Sequence, residues 1–597
     1  MLLTLAFLAA SLALGLVISK KFFENNHLLY ATPIGVMLAT WTVFLTSLVL
    51  GLNQNSVLVS TLFIAAASVI LFKHWKLEYA TELLDKKTAL VYFTALISFA
   101  LITNAMFHYD SEDNLRGIRT DFGFRQAITS TLANGNFPPE HPLYAGHQLV
   151  YYYFTNLFTA SLMLGGFSLQ TATNFVSTLL NTTLVTLLFL LGRTLFPKNN
   201  KLPYLALLLI LFNGTFAFLP YIQDNQITID KIPSAIGKTE FYSAYRNSGY
   251  PFENLLVTQL LIPNIVHLPL TIFAILILQI LTKTKNSKLV ITLFLSLLPL
   301  FHLFIFILIF VFVLTYALLF DRKKEWFYSL GIVGILTLPQ LLYFLQKTEA
   351  ISTIKLRFGW MSLGQDPFSI FLFWLMNLGP YLLLGAIGFY YTKNEELKKF
   401  FIASLPPVIL ANIFIFTPYN WDNIKLFLLS FILLAFLAVV GLQKLWSLKN
   451  VGKPIAFALI VIMTLTGFLS FKTLIDHTND VIYFKEDVLA CKFIEENTPK
   501  NALFLTDGGS SCIYATGRKI YAGFDEWLIN HGYEPTTQIE KNKKMLAGDC
   551  NLIKQNNINY VYIGGYAGNN GIANETFFEQ YGEKIYENKF AKIYSVC

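Results

Sequence analysis

The sequence predicts an all-α polytopic membrane bundle carrying a small C-terminal α/β domain, on three observations. The 597 residues are 55% apolar and only 13% charged, where an ordinary soluble domain is roughly 25% charged, and the mean hydropathy is +0.53. Apolar runs recur from the N-terminus to residue 478, many of them near the roughly 20 residues a helix needs to cross a bilayer. After residue 478 short strand-like runs and Gly-rich turns replace them. Residues 1–478 therefore read as a transmembrane domain of roughly 11–14 helices, and 479–597 as the α/β domain.

The formal net charge is +8. Its Lys and Arg fall mainly in short loops between apolar runs, where the positive-inside rule puts them, so nucleic acid is excluded as a partner. Phosphate-bearing lipid headgroups suit this charge better.

Runs at 2–18, 29–51, 55–72 and 88–106 open the chain. The first lacks a basic leader and is followed by Lys20 and Lys21, so it reads as an uncleaved span with its N-terminus outside. Placing the basic loops at 20–21 and 73–87 in the cytoplasm sends 88–106 outward and leaves the loop 107–150 external. Three further runs, 151–166, 171–192 and 203–219, then lie between this loop and a second polar one at 220–253. That parity requires either a partial span or an external Arg193–Lys201 loop. The run 264–282 ends at Lys283, Lys285 and Lys288, and 289–320 begins and ends beside cytoplasmic charge. The latter is predicted as a hairpin broken near Pro299, with His302 carried outward as an ordinary core histidine. Runs at 326–346, 368–392, 400–417, 426–443 and 454–474 then alternate across the membrane and leave the tail external.

In the tail, 487–497 reads as a helix, 502–506 and 559–563 as strands, and 508–509 and 564–565 as Gly-rich turns. Cys491, Cys512, Cys550 and Cys597 all lie here. An even set in one domain suits an oxidising compartment, with three pairings open. Free thiols in a cytosolic domain are the alternative.

Polar chemistry concentrates between Phe107 and Phe154, FHYDSEDNLRGIRTDFGFRQAITSTLANGNFPPEHPLYAGHQLVYYYF. Asp121 opens a segment whose Phe122, Phe124, Ile128 and Leu132 recur at helical spacing until Gly135, too short and polar to span and suited to the interface plane. Pro138, Pro139 and Pro142 then bar regular helix, and Tyr151, Tyr152 and Tyr153 read as an aromatic belt at re-entry into lipid.

The acidic loop, the Asp at a short helix, Asn-Gly-Asn-Phe-Pro-Pro, Tyr-Ala-Gly and Tyr-Tyr-Tyr-Phe resemble the prokaryotic "YYY" multi-pass membrane family. More distantly they resemble the first external loop of GT-C-type glycosyltransferases, the polyprenyl-phosphate-sugar enzymes that include protein O-mannosyltransferases. Phe122 stands where the commoner pattern has a second acid. The resemblance implies a GT-C-like bundle in the cell envelope, in the plasma membrane, with an extracytoplasmic tail. It implies transfer of a sugar, with inversion, from a polyprenyl-phosphate donor to a hydroxyl on a glycan or protein acceptor. It puts the catalytic aspartate at Asp121.

Such a transfer needs a base for the acceptor hydroxyl and cations for the departing phosphate. Asp121 is the expected base, with helix N-capping as its structural alternative. Asp110 is a second catalytic candidate. Asp110 and Asp113 could hold a divalent cation, the one cofactor considered. Arg125, one turn beyond Asp121, is a phosphate candidate, as are Lys425 and Asp422 in Trp-Asp-Asn-Ile-Lys at a span mouth, a stretch with a counterpart in the YYY family. His147, Lys355 and Arg357 complete the binding candidates. No Walker sequence, GxGxxG or nucleophile elbow stands in a persuasive context, which argues against a nucleotide-sugar or ATP-driven enzyme. A transporter or flippase for a lipid-linked glycan, or a non-catalytic envelope scaffold, is the alternative reading.

Overall fold

The computed structural model describes the chain except residues 79–83, 119–120, 225, 229–255, 261–264, 283–286, 346–353, 449–450, 508–511, 565–567, 569 and 597. Most of the polar 220–253 loop, the turn at 508–509, part of that at 564–565 and Cys597 thus lie outside the described residues. Among the described residues, eight helices are long and apolar enough to cross a membrane: Leu2–Phe22, His27–Leu50, Gln54–His74, Lys86–Met106, Leu169–Leu195, Lys324–Leu345, Asn420–Trp446 and Gly452–Asn479. Pro367–Leu378 and Pro380–Tyr391 pass the same test together but bend by 87°, so 368–392 is not the straight span its hydropathy suggests. The cause is local: Gly379 sits at φ +51°, and Pro380 cannot donate an N–H to continue the helix. Shorter apolar helices at Phe154–Leu164, Leu202–Leu211, His267–Thr282 and Leu303–Leu319 complete the all-α bundle.

Close packing in this bundle relies on small residues. A Cβ at Gly15 would fall on the carbonyl oxygen of Ala31, and one at Gly35 on that of Ser11. Such small-residue contacts let helix backbones approach where lipid offers no hydrophobic drive.

The partial span required by parity is Phe154–Leu164. Its 11 residues reach only about 16 Å at 1.5 Å per residue, roughly half of a bilayer core. Its far end, Gly165, accepts a hydrogen bond of 2.7 Å from the amino group of Met1, and the next helix begins beside Phe107, where Gln170 donates to the backbone carbonyl at 2.9 Å. Both ends of Phe154–Leu164 therefore lie on the face that carries the loop. Leu169–Leu195 crosses to the opposite face, where Arg193 pairs with Asp85. The basic Arg193–Lys201 loop thus lies on the face opposite the 107–150 loop. The expected hairpin is also present, as Ser287–Ser296 and Leu303–Leu319 with Pro299 in the break.

The tail forms a five-stranded mixed sheet in the order Lys519–Ile520, Leu503–Leu505, Tyr560–Ile563, Lys592–Val596, Gly582–Glu587. The first three are parallel and the last two antiparallel. It is stitched to the loop by backbone pairing: Leu115–Gly117 runs antiparallel to Val481–Tyr483, Ile520 N–H donates to the Pro142 carbonyl at 2.8 Å, and Gly523 N–H to that of Leu143 at 2.8 Å. Loop and tail therefore share one face of the bundle. Cysteine labelling from one side of sealed vesicles should modify Glu112→Cys and Lys541→Cys together, and Lys198→Cys only from the other. Opposite sidedness of the first two would contradict this arrangement.

Cys491 and Cys512 form a disulfide with Cα atoms 5.9 Å apart, and Cys550 is disulfide-bonded as well. The Cys491–Cys512 bridge ties Lys485–Asn497 to the short helix Ile513–Thr516, whose Tyr514 ring lies at Gly123 of the loop helix. Closing a loop of 21 residues is worth about 3 kcal/mol by chain entropy. The double variant Cys491→Ser, Cys512→Ser should accordingly lower the melting temperature in a thermal-unfolding scan; an unchanged midpoint would remove the bridge from the stability of this face.

Candidate functional site

Helix Phe122–Ala133 lies between the bundle and the tail, and Asp121 stands at its N-terminus. The Asp121 side chain makes no cap bond to the helix, so the capping alternative is not realised. Its Oδ1 instead accepts a hydrogen bond from Trp527 Nε1 at 3.2 Å, a neutral donor reaching over from the tail. Among the described residues Asp121 has no ion-pair partner.

Opposite it stand Asp422 and Lys425 on the 3-10 turn Asn420–Phe427, paired at 2.6 Å with most of both side chains buried. A three-residue spacing on a tight helix puts both on one face. Asp422 takes a further side-chain hydrogen bond from Asn530 of the tail, and Lys425 Nζ sits 5.9 Å from the Phe304 ring centroid. Lys425 lies within electrostatic reach of Asp121 and Tyr151, and Arg125 within reach of Tyr151 and Tyr152.

The tyrosine run closes the group. Tyr151 stacks on Tyr152 at 4.1 Å and packs against His531 at 4.7 Å, and Tyr152 stacks on His302 at 4.1 Å. These rings do not form a lipid-facing belt as the sequence suggested; Tyr152 and Tyr153 are buried and turned inward. Burial holds the Tyr151 and Tyr152 hydroxyls above the ordinary phenol range. His302 is no ordinary core histidine either. It caps Leu303–Leu319 through Nδ1 at 3.4 Å, is fully buried, and its Nε2 has no hydrogen-bond partner among the described residues.

Four sequence candidates, Asp121, Arg125, Asp422 and Lys425, are thus brought into one constellation, and the others are not. Asp110 is spent on its own loop, accepting from the N–H groups of Glu112 and Asn114 at 2.8 and 2.9 Å and from Arg116 Nε at 2.5 Å. The Asn114 amide, with Arg116 and the two backbone donors, holds its carboxyl below the usual range. Asp113, in the left-handed region at φ +64°, pairs with Lys485 at 3.0 Å. Among the described residues no group of three or more His, Cys, Asp or Glu could hold a metal ion, so the cation expected at Asp110 and Asp113 finds no such set. His147 stacks on Tyr144 at 3.9 Å beneath the tail. Arg357 is folded onto the carbonyls of Trp360 and Ser362 at 2.5 and 2.8 Å, and Lys355 lies exposed on a short strand paired with Phe414–Ile415. Neither joins the constellation. Sequence reasoning missed Trp527, Asn530 and His531, all on or beside the tail helix Asp525–Asn530.

His531 is the titratable hinge of this contact. Its ring lies against Phe124 at 4.5 Å and Tyr151, and this packing pushes its pKa down from 6.5 to about 4 although Asp121 and Asp422 pull upward. Above pH 6.5 the ring is neutral in both folded and unfolded chains and contributes nothing to pH dependence. As pH falls from 6.5 through about 4, the unfolded chain takes up a proton that the folded one refuses, and stability on the order of 2 kcal/mol is lost. His141, lowered mainly by burial, runs the same way; Asp487, raised by burial to about 6, runs the opposite way below that pH. Between pH 7 and 4.5 the thermal midpoint of the protein should therefore fall relative to that of His531→Phe on acidification, and parallel curves would refute the assignment.

Fold and site together define a polytopic helical membrane protein with two carboxylates, two cations and buried aromatic rings gathered where the bundle meets its tail. Residues 36–243 match the model of a family described as uncharacterized membrane protein (DUF2298). That stretch encloses the loop on which the family resemblance rests, and bears the resemblance out. A solved archaeal oligosaccharyltransferase, AglB from Archaeoglobus fulgidus in complex with an inhibitory peptide and a dolichol-phosphate, is similar at a TM-score of 0.37 and 12% identity, over 80% of this chain and 70% of that one. None of the curated proteins matches.

Proposed function

We propose that this protein is a membrane glycosyltransferase that moves a sugar from a polyprenyl-phosphate donor to a hydroxyl acceptor, on the extracytoplasmic face. One observation carries the reading. Asp121 is a carboxylate committed to neither a helix cap nor an ion pair among the described residues, and it stands within reach of Lys425 on the helix that also bears Arg125. In the proposed step the Asp121 carboxylate takes the acceptor hydroxyl proton, and the oxygen forms a bond to the anomeric carbon. The bond from that carbon to the phosphate oxygen breaks, and the leaving polyprenyl phosphate carries away the electron pair beside Arg125 and Lys425. A single displacement of this kind inverts the anomeric carbon.

The sequence resemblance and the position of Asp121, Arg125, Asp422 and Lys425 at an end of the bundle support the same reading, since a transporter carries its working charges mid-span. The test is transfer by the purified protein in detergent, from polyprenyl phosphates bearing different labelled sugars to glycan and peptide hydroxyl acceptors. A labelled acceptor is the expected product. If no donor in the set is consumed, and polyprenyl phosphate itself does not bind, the reading fails.

A further inference from the structure

Beside Arg125, on the bundle side of its helix, lies a cavity of about 50 Å³. Gln126 and Thr129 form one wall, Thr155 and Asn156 another, and Ser177 of Leu169–Leu195 a third. Three of these side chains are more than nine-tenths buried and, among the described residues, each has an atom with no hydrogen-bond partner: Gln126 Nε2, Thr155 Oγ1 and Asn156 Oδ1. The Asn156 amide is fixed from behind, donating to Thr129 Oγ1 at 2.9 Å and to the Arg125 carbonyl at 3.1 Å, so its oxygen is the end left over. Buried polar groups are ordinarily satisfied, and three unsatisfied ones on one small cavity ask for a shared explanation.

The lining narrows the choice of ligand. An apolar lipid tail would leave all three groups stranded. A phosphate needs cations, and Arg125 is the one charged residue of the lining; it also reaches the electrostatic neighbourhood of Tyr151, Tyr152 and His302. The remaining polar wall is neutral and mixes donors with acceptors, as neutral hydroxyls require. The volume admits about four groups the size of a water, at roughly 10–15 Å³ each.

We infer that this cavity seats the hydroxyl groups of the sugar whose phosphate Arg125 holds, with Gln126, Thr155 and Asn156 as the residues that read the sugar. The inference rests on the function proposed above and extends it to a named specificity pocket. The anionic end of the donor stays at the cationic rim, and the neutral polyol turns inward.

The experiment compares two probes, bare polyprenyl phosphate and polyprenyl-phosphate hexose, by equilibrium binding to the detergent-purified protein. The unaltered protein should prefer the hexose-bearing lipid by roughly tenfold or more. Gln126→Leu and Thr155→Val, both close in shape to the originals, should bring that lipid down to the level of the bare one without changing the latter. Thr155→Ser, which keeps the hydroxyl, should retain the preference. Melting temperatures show which variants fold, and either of the first two alone suffices. Equal binding of both lipids by the unaltered protein, or a preference that survives in the variants, overturns the pocket while leaving the transferase reading intact. Failure to bind either lipid overturns both.

Discussion

Asp121→Asn should abolish most sugar transfer, by roughly 10²-fold or more, while leaving the fold in place. Asparagine keeps the size of the side chain and an oxygen that can still accept from Trp527 Nε1, the one hydrogen bond among the described residues that the Asp121 side chain makes to the tail. The charge is lost and nothing else. Because the Asp121 side chain caps no helix, removing its carboxylate costs no capping energy. Trp527→Phe makes the complementary test: it keeps the ring that packs near Phe124 at 5.8 Å and deletes the N–H. If that N–H only positions the carboxylate, Trp527→Phe should fold as the unaltered protein does and keep much of the transfer that Asp121→Asn loses. Full activity in Asp121→Asn, measured from the donor that the unaltered protein uses best, would remove this residue from the chemistry.

The bundle was legible in the sequence because bilayer thickness acts residue by residue: a run is either long enough or not, and a basic loop has one preferred side. The same rules left Phe154–Leu164 undecided, since an apolar run of partial length is settled by its neighbours. Contacts of Gly165 with Met1 and of Gln170 with Phe107 resolve it. Within the site, Asp121 and Arg125 were legible as one helical turn. Asp422 and Lys425 were legible as a pair, but not as a pair facing Asp121. Trp527 lies 406 residues from Asp121, and no periodicity or spacing encodes a contact at that range. Asp110 misled for a different reason. A carboxylate in a polar loop looks available, yet Asp followed by Ser, Glu, Asp and Asn has its own backbone N–H groups to satisfy, and here it does so.

Lys425→Met should cost both stability and donor binding, and the two losses should separate. Lys425 and Asp422 keep only 17% and 13% of their side-chain surface exposed, so the ammonium is the main charge compensating a buried carboxylate. Removing one member of such a pair costs about 3–5 kcal/mol, whereas replacing both with uncharged groups is often close to neutral. The single variant should therefore melt well below the unaltered protein. Adding Asp422→Asn, which can still accept from Asn530, should restore most of the loss. Donor binding should not follow. If Lys425 meets the lipid phosphate as a point charge, the stable double variant still lacks that charge, and its affinity for polyprenyl phosphate should stay low at every ionic strength. A cation that serves only to neutralise Asp422 predicts the reverse, because the double variant would then regain stability and lipid affinity together. Melting curves and lipid-phosphate binding on the single and double variants decide between them, and recovered binding in Asp422→Asn, Lys425→Met would reduce Lys425 to a structural partner.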